Sequence, residues 1–272
     1  MKRWALCLLL SACTTYRAQT FHAEADGTLP DDVEALLAMS DEAARWGPAG
    51  PDLQQSRAAA EHALTLEPEN GEAAWRVARA LFHLAQATDD AALAGRCIDV
   101  AELATKQVPD AAIAHYYASL CMGARAEAKT VEGLDLVERM LDEGKRALAL
   151  DPTVLHGGPH RLLGGIYLRA PAWPASVGDL DAALEHLEAA IAIAPDWAEN
   201  HLLLAEALHA DDRDDEARAA VERARTLMVD PASEGWRDAW AEDLRRLEAR
   251  MGTSAIRDRL LGEQGDREDR EI

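Results

Sequence analysis

Short apolar turns that end in proline recur along the middle of the chain, as ALTLEP, ATKQVP, ALALDP and AIAIAP and, more loosely, MVDP. Proline lacks the backbone N–H of a helix interior and clashes with the preceding turn, so each of these turns predicts the end of a helix. Each interval between successive prolines contains two stretches with the apolar spacing of an amphipathic helix. We therefore expect a helix hairpin that is repeated about five times. The prolines are Pro68, Pro109, Pro152, Pro195 and Pro231, at intervals of 41, 43, 43 and 36 residues.

The composition also favours helices throughout. The chain is rich in alanine and leucine, has only two phenylalanines, and contains no sustained alternation of apolar and polar residues of the kind that strands show. The prediction is an all-α solenoid over residues 30–252 that ends in a capping helix, followed by a charged tail over residues 253–272. The expected helix pairs lie near 31–47 with 51–66, 71–87 with 90–107, 111–128 with 131–150, 158–169 with 179–194, and 198–209 with 213–228, and the capping helix carries Trp236, Trp240, Leu244, Leu247 and Met251 on one face.

Small residues occupy equivalent positions in successive units, since Ala63, Ala104, Ala147 and Ala190 each lie five residues before the closing proline. This pattern resembles the tetratricopeptide repeat, in which small side chains let neighbouring helices pack closely. The intervals exceed the period of about 34 residues of that repeat, which predicts longer helices or loops, with APAWP as one such loop. The best match consists of Leu163, Gly164 and Tyr167 on the first helix and Ala183, Leu187, Ala190 and Pro195 on the second.

The start of the chain, MKRWALCLLLSAC, has the build of an export signal. A basic start precedes an apolar run that is shorter than the ~20 residues of a membrane span. The sequence Leu-Ser-Ala-Cys resembles the lipobox of bacterial lipoproteins, which implies removal of residues 1–12 and acylation of Cys13. Residues 13–29 would be a tether, and Thr14 implies an outer-membrane location facing the periplasm. The alternative is an ordinary secretory signal that leaves Cys13 unmodified.

Cys97 and Cys121 each lie twelve residues from Pro109, where we place the turn between two antiparallel helices. The two side chains should therefore lie level with each other, and export would expose them to an oxidising compartment. A disulfide is one possibility, which requires Cα atoms within ~7 Å of each other. A pair of buried free thiols is the alternative that we favour, because cysteine often fills helical cores.

The formal net charge of −21 disfavours binding to nucleic acid or to anionic lipid surfaces, which such a chain repels. The standard nucleotide-binding, serine-hydrolase, zinc-protease and CxxC redox motifs are absent from the sequence. His156 and His160 have a spacing that could hold a metal on a helix, but the intervening Gly-Gly-Pro breaks that geometry. We therefore expect neither an enzyme nor a bound metal or cofactor.

Arg161 and Arg169 flank the segment RLLGGIYLR and are candidates for binding a ligand carboxylate. Arg161 follows a turn whose backbone amides could add to such a site. An ion pair with a nearby acid is the alternative that we favour for it. Tyr116 and Tyr117 could stack on a ligand, but at least one ring at that spacing must face the core, and we favour core packing.

The stretch from residue 156 to residue 197 carries a more specific resemblance. GGPHRLLGGIYLRAP followed by GDLDAALEHLEAAIAIAPDW is similar to the T-component lipoproteins associated with tripartite ATP-independent periplasmic (TRAP) transporters. The matching residues are Gly157, Gly158, Arg161, Gly164, Tyr167, Pro171, Asp179 and Pro195.

This resemblance implies a helical periplasmic lipoprotein whose repeats surround a lumen. Such a protein partners a TRAP substrate-binding protein and binds or conducts a small organic molecule, often hydrophobic or acidic. The alternative function is a tetratricopeptide scaffold lipoprotein for outer-membrane or envelope protein assembly, in which an open groove grips a peptide. A lumen that is closed by the extra residues of each hairpin and lined with Arg161, Tyr167 and Tyr117 would favour transport, and an open groove with polar asparagine and lysine side chains would favour the scaffold. The candidate lumen residues are Arg161, Tyr167, Tyr117, Tyr116, His160 and Arg169.

Overall fold

A computed structural model describes residues 29–45, 47, 53–88, 90–128, 130–230 and 235–268. The expected signal peptide, the lipidation site Cys13 and all but the end of the expected tether lie outside these residues. Within them, every helix is too short or too polar to be a membrane span. The described helices are α1 (Val33–Ala44), α2 (Leu53–Leu66), α3 (Gly71–Thr88), α4 (Ala91–Gln107), α5 (Ala112–Ala128), α6 (Thr130–Leu150), α7 (Val154–Arg169), α8 (Leu180–Ile193), α9 (Ala198–Ala210), α10 (Asp214–Met228) and α11 (Arg237–Glu268).

The helices form five successive hairpins, from α1 with α2 to α9 with α10, and each hairpin packs against the next. Helix α11 then packs on α9 and α10. The predicted all-α solenoid with a capping helix is therefore confirmed. The end of α11 differs from the prediction, because the helix continues past Gly252 to Glu268, through most of the expected charged tail. Arginine, leucine and glutamate are frequent in that segment and are strong helix formers, so a high charge density does not end the helix.

Small residues let neighbouring helices approach, as the repeat pattern predicted. A Cβ atom built on Gly164 of α7 would lie 2.7 Å from Leu187 Cγ on α8, which is closer than a side chain there could tolerate. The same close packing is seen at the alanines that precede the closing prolines, all of which are completely buried: Ala63, Ala104, Ala147 and Ala190.

A disulfide joins Cys97 on α4 to Cys121 on α5, with the Cα atoms 5.3 Å apart. Of the two alternatives that the sequence left open, the structure therefore has the less favoured one. Both sulfur-bearing side chains lie in the largest apolar cluster and are completely buried. Small side chains such as Ala101 and Ala118 pack in the same cluster, and they let the two helices approach to the Cα separation that a disulfide requires.

The first turn of α7 is left-handed. Leu155, His156 and Gly157 have φ angles of 51°, 61° and 78°, and regular helix follows, with Pro159 in its first turn as expected. Positive φ angles are unfavourable for residues with a Cβ atom, so this turn needs support from side chains.

The loop between α7 and α8 provides the additional length that APAWP predicted. The amide of Gly178 donates a hydrogen bond to the carbonyl of Pro171 at 2.9 Å, which closes the loop at its base. Trp173 at the tip is 84% exposed. Pro171 thus belongs to a loop that projects from the fourth hairpin.

The first helices of the hairpins contact one another along the solenoid, α1 with α3, α3 with α5, α5 with α7 and α7 with α9, so they line its inner side. Residues 235–240, which we call the aromatic strap, lie across this side. The Trp236 ring is 5.9 Å from the ring of His83 on α3 and 5.8 Å from that of Trp197 on α9. Gly235 packs against Gly47, just after α1, with no room for a Cβ atom between them. The strap therefore connects the two ends of the solenoid across its inner side.

Candidate functional site

Helix α3 carries Trp75, Arg79 and His83 at intervals of four residues, which places them on one face. This face meets Tyr117 of α5. The rings of Trp75 and Tyr117 are nearly parallel, with centroids 6.3 Å apart, and the ring of His83 lies 6.5 Å from that of Tyr117. Because Trp236 of the strap also contacts His83, the face is covered on its inner side.

Further rings continue these contacts toward the other end of the solenoid. Trp236 and Trp240 stack with centroids 6.1 Å apart, and Trp240 meets Trp197 of α9 at 4.9 Å. Trp197 in turn stacks on His156, with centroids 4.0 Å apart. Such side chains bury large apolar areas with few rotatable bonds, so together they form a rigid apolar lining. We call this set the inner ring cluster, and it consists of Trp75, His83, Tyr117, Trp236, Trp240, Trp197 and His156.

Two polar groups of the inner ring cluster make no hydrogen bond to any residue that the structure describes. Tyr117 is 4% exposed, and among the described residues neither its hydroxyl nor the imidazole of His83 makes a hydrogen bond. Burial and the charge of Arg79 lower the pKa of His83 to about 3, so the imidazole is neutral at physiological pH. Burial also raises the pKa of Tyr117, so the phenol keeps its proton. Enclosed polar groups usually have partners, so this pair favours an interaction with a bound molecule.

Arg79 acts electrostatically on these two groups and is itself paired with an acid. Its Nη atoms donate hydrogen bonds to Asp41 Oδ1 at 2.9 Å and to the carbonyl of Ser40 at 3.0 Å. Its buried Nε has no hydrogen-bond partner in the described part of the chain. Among charged groups, Arg79 acts most strongly on both Tyr117 and His83. One buried donor of Arg79 is thus not used by its ion pair with Asp41.

Arg161 is 5% exposed, and protein groups engage its guanidinium. Its Nε lies 3.1 Å from Glu199 Oε2, and its Nη1 donates a hydrogen bond to the side-chain oxygen of Asn200 at 2.8 Å. The Nη atoms also donate to the carbonyls of His156 and Leu155, at 3.3 Å and 3.2 Å. The ion pair that we favoured for Arg161 is present, and the side chain supports the left-handed turn of α7.

Arg169 belongs to a second ion-pair network. Its Nη2 lies 2.8 Å from Glu206 on α9, and Glu206 also pairs with Arg250 on α11 at 3.0 Å. Burial opposes the ionisation of Glu206, but the two arginines hold its pKa below the usual value.

Burial and the charge of Glu199 raise the pKa of neighbouring Asp243 to about 7. Oδ1 of Asp243 is buried and, within the described residues, has no hydrogen-bond partner.

Three other candidate lumen residues have packing roles. Tyr116 is buried, with its ring 5.4 Å from that of Tyr117 and a hydrogen bond to Arg161. Tyr167 stacks on His186 of α8 with centroids 5.7 Å apart, and His160 Nδ1 lies 2.9 Å from His186 Nδ1. Tyr167 and His160 therefore pack within the fourth hairpin, because their side of α7 faces α8, and in the described residues no ring contact joins them to the inner ring cluster.

The sequence did not single out Arg79, His83 or Trp197 as site residues. The four-residue spacing of Trp75, Arg79 and His83 was available as a signal for a shared helix face. Their contact with Trp236 was not, because it depends on how the chain returns after the last hairpin. In the part of the chain that the structure describes, no three histidine, cysteine, aspartate or glutamate side chains are grouped to hold a metal ion.

Comparison with known families agrees with this architecture. Residues 175–235, which include α8, α9 and α10, match a family model described as the tetratricopeptide repeat. The fold is a tetratricopeptide-repeat solenoid. A solved thermophilic tetratricopeptide protein of Thermus thermophilus is similar at 20% identity with a TM-score of 0.59, over 83% of this chain and 100% of that one.

Yeast Tom70 has a similar fold, at 15% identity with a TM-score of 0.51, over 86% of this chain and 43% of that one. At these identities the similarity concerns the fold alone. No curated protein matches the sequence. The chain thus has the fold of a tetratricopeptide-type helical solenoid.

Proposed function

We propose that this protein is a periplasmic lipoprotein that acts as an accessory ligand-binding or ligand-conducting component of a TRAP-type transport system. Its partner is the substrate-binding protein of that system. The observation that carries the proposal is the strap across the inner side of the solenoid. An open tetratricopeptide groove suits an extended peptide, whereas here Trp236 and Trp240 lie across that side and belong to the inner ring cluster. An apolar interior with few polar groups suits a small organic molecule.

The motif that resembles TRAP-associated lipoproteins has a structural explanation that supports the proposal. Gly157 adopts the positive φ of the left-handed turn, and Arg161 donates hydrogen bonds to two carbonyls of that turn. Gly164 allows α7 and α8 to approach. The turn holds His156 against Trp197 and so builds one end of the inner ring cluster. The motif thus positions one end of the inner ring cluster.

The disulfide between Cys97 and Cys121 supports export, because disulfides form and persist in oxidising compartments. In the proposal, Cys13 carries the lipid anchor, and the helical domain faces the periplasm from the outer membrane. Acylation would also explain how a strongly acidic protein stays at a membrane surface that its charge disfavours.

The anchor is tested in the native host by membrane fractionation and intact mass. The variant Cys13→Ser should lose the mass of the lipid and leave the membrane fraction. Cys7→Ser, which lies inside the expected signal, is the matched control and should remain lipidated. If Cys13→Ser still sediments with membranes, a lipid anchor at this residue is ruled out.

The partner is tested by crosslinking the tagged full chain in cells and identifying the captured proteins by mass spectrometry. A TRAP substrate-binding protein should be enriched over cells that express an unrelated tagged outer-membrane lipoprotein. If proteins of envelope assembly are captured in its place, the scaffold alternative replaces the transport role.

A further inference from the structure

Three hydrogen-bond donors belong to neighbouring side chains at the α3 end of the inner ring cluster. They are the hydroxyl of Tyr117, an N–H of the neutral imidazole of His83 and the Nε–H of Arg79. None of the three has an acceptor within the described residues. Arg79 and His83 are one turn apart on α3, and the ring of His83 lies 6.5 Å from the ring of Tyr117 on α5. Unused donors on two neighbouring helices favour the binding of an acceptor that the described residues do not supply.

We propose that Tyr117, His83 and Arg79 anchor the carboxylate of a small aromatic acid. The neighbouring rings of the inner ring cluster hold its flat apolar body. This inference deepens the proposed ligand-binding function and rests on it.

Arg79, which also pairs with Asp41, favours an anionic head group over a cationic one at this position. Arg79 is the charged side chain that acts most strongly on Tyr117 and His83. The acid that also acts on Tyr117, Glu199, is compensated by Arg161 at 3.1 Å. A carboxylate oxygen accepts hydrogen bonds from all three donors and interacts favourably with the guanidinium. An ammonium group could donate only to the Tyr117 oxygen and to the unprotonated imidazole nitrogen of His83, and Arg79 would repel it.

The surrounding rings select a flat body. Trp75 and Tyr117 are parallel to within 4°, and the Trp236 ring lies edge-on to His83. Planar molecules stack on such surfaces or meet them edge to face, which adds to the gain from apolar burial. Trp236 belongs to the strap, so a molecule that binds here contacts both α3 and the segment that covers it.

The head-group preference is tested by isothermal titration of the purified full chain, kept in detergent, with three probes of the same body. The probes are phenylacetate, its neutral amide phenylacetamide, and the cation 2-phenylethylamine. Phenylacetate should bind at least about tenfold more tightly than phenylacetamide, since a hydrogen bond to a charged group is worth more than one to a neutral group. The amine should bind more weakly than either. Equal affinities, an inverted order, or no binding of any probe at millimolar concentration would overturn the proposal.

The variant Tyr117→Phe tests the location of the site. It should weaken phenylacetate binding about tenfold and reduce the preference over the amide. The hydroxyl has no partner in the described protein, so its removal should leave the thermal midpoint unchanged or raise it, which separates loss of binding from loss of fold. Tyr167→Phe, which removes a hydroxyl from the stack on His186, is the matched control and should bind as the wild type does. A Tyr117→Phe variant with wild-type affinity would remove Tyr117 from the site.

These results are distinguishable from a failure of the proposed function. Selective binding of phenylacetate without capture of a substrate-binding protein would leave the site in place and remove the TRAP partner. Capture of the partner without a head-group preference would retain the transport role and refute the carboxylate site.

Discussion

Nε of Arg161 lies 3.1 Å from Oε2 of Glu199, while the same guanidinium donates hydrogen bonds to the carbonyls of Leu155 and His156. One buried side chain thereby neutralises an acid on α9 and stabilises a left-handed turn that opens α7. The turn positions His156 against Trp197. The glycine-rich segment that is so prominent in the sequence is therefore a support for the inner ring cluster.

Replacing Arg161 should destabilise the whole fold. Arg161→Ala leaves Glu199 without its cation and the turn without its donors, so the free energy of unfolding should fall by about 3–5 kcal/mol. Chemical denaturation measures the change. Adding Glu199→Gln should recover part of the loss, because the uncompensated charge is then removed. The control is Arg218→Ala, whose guanidinium belongs to an exposed pair with Asp215 and which should cost less than about 1 kcal/mol.

Two glycines in helices should respond to alanine in opposite directions. At Gly164 a Cβ would lie 2.7 Å from Leu187 Cγ and 3.2 Å from the carbonyl of Ala183, so Gly164→Ala should destabilise the protein by about 1–3 kcal/mol. At Gly252 nothing lies within 4 Å of the added atom. Gly252→Ala should therefore stabilise α11 by about 0.5–1 kcal/mol through helix propensity alone. Thermal or urea denaturation of both variants measures the two changes in stability. Equal changes for Gly164→Ala and Gly252→Ala would contradict the close packing of α7 on α8.

The disulfide should make a measurable contribution to stability. Replacing both Cys97 and Cys121 by alanine should lower the free energy of unfolding by about 2–4 kcal/mol, because the cross-link restricts the unfolded chain. A reducing agent should lower the urea midpoint of the wild type and leave that of the double variant unchanged. Insensitivity of the wild type to reductant after full unfolding would show that the bond is not formed.

Asp243 should make the stability depend on pH near neutrality. Its pKa is raised from 3.8 to about 7, so the folded protein binds more protons at this site than the unfolded chain between those values. The stabilisation that the protonated Asp243 gives to the folded protein is therefore complete at pH values below 3.8, and it is lost as the pH rises through about 7.

The side chain of Asp243→Asn cannot ionise. The free energy of unfolding of this variant should therefore increase relative to that of the wild type as the pH rises. The gain should be on the order of 2–4 kcal/mol above about pH 8. Urea denaturation at pH values on both sides of neutrality measures the difference. Asp215→Asn removes a charge at an exposed position and controls for the change in net charge. A difference that is the same at every pH would contradict the raised pKa of Asp243.

The parts of the fold that rest on local patterns could be predicted from the sequence. Proline-ended turns gave the hairpins, and the spacing of small residues identified buried positions such as Ala104 and Ala147. The disulfide was harder to predict, because the separation of Cys97 and Cys121 depends on how closely two helices pack.

The site was predicted only in part. The nearest acids in the sequence, Asp151 and Asp179, lie ten and eighteen residues from Arg161, and its partner Glu199 is brought to it because α9 lies against α7. Arg79 and His83 gained their role only through contacts with α5 and the strap, which are far away in the sequence. Local periodicity contains no information about such contacts, because the path of the chain after α10 determines them.

The packing of Gly235 against Gly47 also bears on how the molecule comes apart. In an open repeat array each unit touches only its neighbours, so the terminal units can fray while the middle remains folded. Here the last helix is held near the first, and neither end can separate without disturbing the strap. Amide hydrogens in α1 and α10 should therefore exchange nearly as slowly as those of the central hairpins, and the solenoid should melt as one cooperative body.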